Sequence, residues 1–352
     1  MGAPPGDGSR AWKELAPARI LFIQVSRIGD TLFATPTLRA IAQAWPDAQI
    51  TALAHPNRAE VLEHLPFLHR VGSITKKTAP WRGRWGGRQY DLAFVLGFDE
   101  ALVAYALRVA HRVVAFRQKD EGLNARLFRA VPEPRFQARH AVEYCFSLAE
   151  SLGLPMAGRR LAFQVLPAEA QAARERLRQA GFADAHPLVG LQAASFPTRS
   201  YRDWPVDHFV QLANRISARW PGARFLIYGG SAEKAQTDAL KAALGDRALL
   251  LAGKLTLRET AAVMGCTDLY VGVDTGPTHI MSTFDIPMVG LYHATSGAAQ
   301  TGPCDHPAAR LIDHPLCGRG GSDHSSMADI PVEQVYAAVE AALAAKEPAW
   351  SA

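Results

Sequence analysis

The amino-acid sequence predicts an α/β protein made of two doubly wound halves, each a parallel sheet with helices on both faces. Two observations carry this. Short apolar runs rich in β-branched and aromatic residues alternate with amphipathic helical patterns along nearly the whole chain. The alternation breaks once, at the Gly- and Pro-containing stretch GLPMAG of residues 153–158, and a fresh series begins behind it. The chain therefore reads as a flexible tail over 1–18, a first half over 19–156 and a second half over 157–352 that closes with a helix.

In the first half the run ILFIQV at 20–25 has buried parallel-strand character, and the turn SRIGD at 26–30 leads straight into a helical pattern that reaches Trp45. Strands are then predicted at 49–54, 70–74, 90–96 and 113–116, with helices at 58–65, 101–110 and 139–152. In the second half strands are predicted at 187–192, 224–228, 248–251, 269–273 and 288–291. Helices are predicted at 168–180, 206–220, 232–243, 257–265 and 277–284, and a last amphipathic one at 331–345. Doubly wound halves bind ligands outside the carboxyl ends of their strands, so a cleft between two such edges is the expected place for chemistry. No repeat of 20–50 residues is visible.

Composition excludes several classes. The 352 residues are 48% hydrophobic and 20% charged, too apolar for a disordered chain, and no apolar run approaches the roughly 20 residues of a membrane span. The first residues lack the basic and apolar regions of a signal peptide, so a cytoplasmic location is expected. Four cysteines without a C-x-x-C pair are too sparse for a disulfide scaffold, and reduced thiols are expected. The net charge is only +5, but residues 70–139 hold fourteen Lys or Arg against six Asp or Glu, a local excess of +8. An anionic partner, or a merely solvated basic face, follows from that excess; nothing points to nucleic acid.

The loops that end the strands carry the candidate residues. In LYVGVDTGPTH at 269–279 a buried strand runs into Asp274, and Pro277 opens a helix whose free N–H groups lie beside Thr275, Gly276, Thr278 and His279. Such a terminus suits an anion, with diphosphate as the natural occupant; the plain alternative is a capped helix with a packed histidine. The loop QAASFPTRSYRDWP at 192–205 offers Arg199 and Arg202, either of which can meet a phosphate with two parallel hydrogen bonds. Glu233, after the next strand, stands where a carboxylate holds ribose hydroxyls or complements a helix dipole. In the first half SRIGD is not a G-x-G-x-x-G fingerprint, which disfavours a nicotinamide dehydrogenase. Its Asp30 is either a general base or a helix cap. No D-x-D motif occurs anywhere, so if a nucleotide diphosphate is the leaving group, protein cations and dipoles rather than a metal are expected to stabilise it.

Taken in order, these loops resemble the heptosyltransferases of glycosyltransferase family nine, bacterial enzymes of lipopolysaccharide core assembly with the two-domain GT-B fold. The resemblance runs from about Ile20 to Ala345. It rests on Gly29-Asp30, Thr35-Pro36, the strand at 90–92, Trp204-Pro205, Gly229-Gly230 with Glu233, AGKLTL at 252–257 and DTGPTH at 274–279. It implies Asp30 as the catalytic base, and Arg202, Thr275, Gly276 and His279 at the donor diphosphate. It further implies Asp274 near the transferred sugar, Glu233 at the ribose and Leu255 at the adenine. The reaction implied is an inverting, metal-independent transfer of heptose from ADP-heptose, with no cofactor, to a hydroxyl of a lipopolysaccharide core acceptor. Lys76, Lys77, Arg82 and Arg84 then become candidates for the anionic glycolipid acceptor, and peripheral association with the cytoplasmic face of the inner membrane is the matching expectation.

The sequence departs from the family pattern at three places. Ala193-Ala194 replaces a Pro-Gly pair, only Cys317 is left of a late cysteine cluster, and Arg202 stands for a lysine. Two rivals remain open at this level. One is a GT-B transferase for another nucleotide sugar or for a polysaccharide or protein acceptor. The other is a catalytically silent sugar-nucleotide binding protein.

Overall fold

A computed structural model of the chain describes residues 12–135 and 139–344. It divides into two compact units that meet at Gln164 and Val165. The division falls later than the Gly/Pro stretch suggests because the residues just behind that stretch still pack on the first unit. The Ala162 N–H donates to Thr35 Oγ1 (2.9 Å), Arg39 Nη2 donates to the Arg160 carbonyl (2.9 Å), and Leu161 is buried.

The first unit is a six-stranded sheet of β1 (Arg19–Gln24), β2 (Gln49–Ala54), β3 (Arg70–Ser73), β4 (Tyr90–Leu96), β5 (Ala110–Phe116) and β6 (Arg129–Val131). The order is β3-β2-β1-β4-β5-β6 and every pairing is parallel. Its helices are α1 (Ile28–Phe33), α2 (Thr35–Ala44), α3 (Glu100–Val109), α4 (Glu121–Asn124) and α5 (Ala141–Glu150). Leu21, Ile23, Ala93, Val95 and Val113 of the sheet pack against Leu102, Val103 and Ala106 of α3, all nearly free of solvent. The apolar runs are strands because both faces of a parallel sheet are covered by helices.

The second unit repeats the plan with β7 (Leu188–Gln192), β8 (Arg224–Tyr228), β9 (Ala248–Leu250), β10 (Leu269–Val273), β11 (Met288–Tyr292) and β12 (Ala309–Asp313). The order is β12-β11-β10-β7-β8-β9, again parallel throughout. Around it lie α6 (Pro167–Gln179), α7 (Val206–Arg219), α8 (Lys234–Leu244), α9 (Leu257–Met264), α10 (Gly276–Met281), α11 (Ala298–Thr301) and α12 (Val332–Leu343). Its core joins Val189, Leu191, Phe225, Val271 and Val273 to Phe209, Leu212 and Ile216 of α7 and to Val335 and Val339 of α12. Each unit is thus the doubly wound α/β body expected of a GT-B protein.

Several local expectations are corrected. The single helix expected up to Trp45 is two, broken at Ala34, because Pro36 in the first turn of α2 has no N–H to continue the ladder. The helix expected at 58–65 is a 3₁₀ stretch, Pro56–Val61. Strands β6 and β12 are additional. Part of the supposed tail is tied down: the Trp12 N–H donates to the Leu152 carbonyl (3.1 Å), Trp12 lies edge-on to Trp45, and Trp45 Nε1 donates to the Leu15 carbonyl (2.9 Å). The part of that tail over 1–11 lies outside the described residues. No helix among the described residues is long and apolar enough to cross a membrane.

Candidate active site

Both sheets reverse their winding at the centre, between β1 and β4 in the first unit and between β7 and β10 in the second. The loops after β1, β7 and β10 therefore sit at the switch points where open α/β sheets bind ligands. Asp30 follows β1, Arg202 follows β7 and Asp274 follows β10.

Asp30 is neither a free loop residue nor an N-cap. It occupies the third position of α1, and its carboxylate reaches back: Oδ2 accepts from Ser26 Oγ (2.5 Å) and from the Arg27 N–H (3.3 Å). That reach closes the helix start in the manner of a capping box. Arg58 Nη1 holds the Ser26 carbonyl (3.0 Å) and Thr31 Oγ1 holds that of Arg27 (2.8 Å), so the turn is fixed. Asp30 remains half-buried, and its Oδ1 carries no hydrogen bond among the described residues. One oxygen is thus engaged in holding the helix start while the other has no partner among the described residues.

In the second unit the structure brings Asp274, Arg202 and His279 together. Arg202 Nη1 lies 3.0 Å from Asp274 Oδ2, and His279 Nε2 lies 3.3 Å from Asp274 Oδ1. The Asp274 side chain is 3% exposed, that of His279 8% and that of Arg202 14%, so this is a desolvated charge cluster. Burial alone would push the Asp274 carboxyl up, but the hydrogen bond from His279 and the charges of His279 and Arg202 outweigh it. The carboxyl is held below the ordinary aspartate range. Arg202 Nε is buried without a hydrogen-bond partner. The guanidinium thus has one edge on Asp274 and a donor to spare.

Thr275 is the N-cap of α10, and its side chain makes no capping bond. The adjacent Thr278 is structural: its hydroxyl donates to the Val273 carbonyl (2.5 Å) and meets the Tyr270 hydroxyl (2.9 Å). Gly276 is the first residue of the helix and half-buried. The first-turn location read for Glu233 holds, and its carboxylate is buried with Oε2 accepting from the Gly230 N–H. A Cβ at 230 would stand 2.8 Å from that oxygen, so glycine is what admits the carboxylate. Leu255 is half-buried in the turn after β9, and the Gly253 N–H in that turn donates to the Gly229 carbonyl (2.9 Å). Glu233 and Leu255 therefore sit on two turns that are tied together.

Lys76, Lys77, Arg82 and Arg84 lie in the exposed connection from β3 to β4, in the other unit. Arg82 Nη1 donates to the Ser73 carbonyl (2.6 Å), and Arg84 donates to that of Pro80 (3.1 Å) while covering the ring of Trp81. The two lysines are exposed. Sequence reasoning missed Ser296, whose Oγ lies 3.5 Å from Asp274 Oδ2, and His293, which Tyr201 meets edge-on. Burial lowers the His293 imidazole, favouring the neutral ring. The signal was available: the polar run HATS follows directly on the apolar strand β11.

Comparison with known proteins identifies the family and matches the fold. The family model described as glycosyltransferase family 9 (heptosyltransferase) matches residues 83–316, a stretch that contains Arg202, Glu233, Leu255 and the 274–279 loop and begins after Asp30. Lipopolysaccharide heptosyltransferase 1 of Pseudomonas aeruginosa is 28% identical over 301 residues, covering 79% of each chain. The crystal structure of a family 9 glycosyl transferase from Veillonella parvula superposes with a TM-score of 0.81 at 20% identity, over 93% of this chain and 98% of the other. E. coli heptosyltransferase WaaC with ADP-2-deoxy-2-fluoro heptose has a TM-score of 0.64 at 21% identity, over 92% and 99%. The match of the family model over two thirds of the sequence shows that this chain is a glycosyltransferase and belongs to glycosyltransferase family 9.

Proposed function

We propose that the protein transfers heptose from ADP-heptose to a hydroxyl of a lipopolysaccharide core acceptor, inverting the anomeric centre and using no metal. The observation that carries this reading is the buried cluster of Arg202, Asp274 and His279. It holds a cation beside the N-terminus of α10 in a desolvated setting, where charge on a leaving diphosphate is stabilised most effectively. Its support in the relatives is their naming as lipopolysaccharide heptosyltransferases and the ADP-heptose analogue bound to WaaC.

In the reaction, Asp30 Oδ1 takes the proton of the acceptor hydroxyl as its oxygen bonds to the anomeric carbon. The bond from that carbon to the diphosphate oxygen breaks, and ADP leaves with the electron pair onto Arg202 and the N–H groups at Thr275 and Gly276. A single displacement inverts the centre once. Asp274 lies beside the transferred sugar and keeps Arg202 and His279 oriented, while Glu233 takes the ribose hydroxyls and Leu255 packs on the adenine. Lys76, Lys77, Arg82 and Arg84 attract the anionic glycolipid, with the enzyme working at the cytoplasmic face of the inner membrane.

The test is transfer from ADP-heptose to O-deacylated lipopolysaccharide that lacks the heptose, with product configuration read by NMR. Asp30→Asn is expected to keep donor affinity and to lower turnover by about 10² to 10⁴-fold, and EDTA to leave the wild-type rate unchanged. Near-normal turnover of the variant removes Asp30 as base. A retained configuration removes the single displacement.

A further inference from the structure

The first sheet carries a second feature on its carboxyl edge. Strands β4, β5 and β6 end around a cavity of about 650 Å³ lined by Phe98, Glu100, Arg117, Gln118, Lys119 and Glu133 together with Pro132. That volume lies within the usual range for small-ligand sites. None of these residues belongs to the donor cluster or to the acceptor candidates above.

Its chemistry is specific. Gly97, at φ +110°, turns the chain out of β4 in a way other residues resist, and Phe98 emerges 47% exposed. The Phe98 ring is stacked on Phe116 (5.4 Å between centroids, 19° between planes), and Phe116 packs on Tyr144. An exposed phenyl ring is thereby held as a rigid flat platform. Beside it the Gln118 side chain is locked, with Nε2 donating to the Phe116 carbonyl (2.7 Å) and the Gly97 carbonyl (3.3 Å). The backbone of Gln118 exchanges two hydrogen bonds with the Asn124 amide. Gln118 Oε1 is buried and has no partner, so this wall holds one acceptor more than its own contacts use.

The lining charges cancel. The lining holds two cations, Arg117 and Lys119, and two carboxylates, Glu100 and Glu133, and Arg117 is already held by both oxygens of Glu121 (2.9 Å each). An anion gains little from such a lining, and an acyl chain would strand its polar groups. A flat apolar face ringed by donors and acceptors of no net charge fits a neutral pyranose, which offers C–H groups on its faces and hydroxyls at its edge.

Position points the same way. β1, β4 and β5 are neighbours, so the cavity begins one to two strand spacings from the end of β1, on the order of 5 to 10 Å. That is the reach of one or two sugar rings from the loop that leads from β1 to Asp30. Tyr144 joins the two places: its hydroxyl donates to Glu133 Oε1 (3.1 Å), and its phenol is pushed up by burial, then by Glu133, with the Asp30 charge also contributing.

We propose that this cavity is an acceptor subsite, in which a neutral sugar ring one or two residues from the attacking hydroxyl stacks on Phe98 and hydrogen-bonds to Gln118, Glu100 and Glu133. The proposal rests on the transferase reading above and names where the body of the acceptor lies.

The experiment is steady-state transfer at saturating ADP-heptose with O-deacylated lipopolysaccharide varied, alongside saturation-transfer NMR with methyl pyranosides and with AMP. Phe98→Ala is expected to raise acceptor KM by about tenfold and to leave donor KM and ADP-heptose hydrolysis unchanged. Phe98→Trp, which keeps a platform, should stay within about twofold of wild type. The pyranoside ring protons should be saturated by wild-type protein and not by Phe98→Ala. An unchanged acceptor KM in Phe98→Ala, or equal losses in both variants, overturns the subsite. So does saturation of AMP adenine protons that depends on Phe98, since the platform would then hold a base. Wild-type protein that neither binds ADP-heptose nor transfers would defeat the heptosyl reading instead, and the pyranoside arm would still decide the subsite.

Discussion

At the scale of single residues, the least obvious feature is that Arg202, read from sequence as a phosphate ligand, is already committed on one edge to a buried carboxylate. Removing one partner of a buried pair leaves the other charge uncompensated. Arg202→Ala is therefore expected to cost about 3 to 5 kcal/mol of stability, softened by the remaining His279 contact, and to weaken ADP-heptose binding in calorimetry. Unchanged donor affinity would take the diphosphate away from Arg202. Asp274 makes a second prediction through its depressed pKa. Stability gained from a carboxyl held low in the fold is complete above the ordinary aspartate value, about 3.9, and is lost as pH falls from there through the folded value. Urea midpoints of wild type should fall more steeply with acid in that window than those of Asp274→Asn. Parallel curves would mean that Asp274 is not held low.

At the scale of elements, the loop between β7 and α7 shows how a flexible arginine is made precise. Ser195 Oγ and its N–H both donate to Asp203 Oδ1 (2.6 and 2.7 Å), closing the loop on itself. Trp204 then anchors it, fully buried, with Nε1 donating to the Ile330 carbonyl (2.9 Å) just ahead of α12. Trp204→Ala should lose about 3 to 5 kcal/mol as a large core truncation and should raise the Kd for ADP-heptose as Arg202 loses its support. Trp204→Phe, which refills most of the volume, should recover more stability than affinity if the hydrogen bond sets the loop. Recovery of both in equal measure would assign the anchoring to packing alone.

At the scale of the whole molecule, charge is distributed more tellingly than it is summed. The chain carries +5 overall but +8 between residues 70 and 139, and residues 64–90 contain no acidic side chain. Interactions of exposed charges are screened beyond about 8 Å at physiological salt, whereas the desolvated cluster of Arg202, Asp274 and His279 is shielded from ions. Acceptor KM should rise with ionic strength while donor affinity changes less. Reversal of Lys76 or Lys77 should raise acceptor KM more than reversal of Arg84, which is partly engaged with Pro80 and Trp81. An acceptor KM indifferent to salt and to these reversals would reduce the cluster to a solvated face.

What the sequence determined by itself was the arrangement that burial on two faces imposes. Runs such as ILFIQV at 20–25 and LYVGV at 269–273 are so uniformly apolar that only covered strands accommodate them, and the helices between them follow by alternation. The placement of Asp30, Arg202, Glu233 and Asp274 at strand ends was legible for the same reason, because loops begin where apolar runs stop. Tertiary structure decided the rest. β6 has three residues, and β12 lies at a sheet edge with three of its five residues exposed, so neither leaves an apolar signature. Residues 12–18 look like a tail because Trp12 finds its partner Trp45 only after folding. The pairing of Arg202 with Asp274 spans 72 positions, and the platform of Phe98 on Phe116 depends on two adjacent strands ending side by side. Local pattern reports which residues must be buried; which side chains then meet is set by strand order, and strand order is a property of the folded chain.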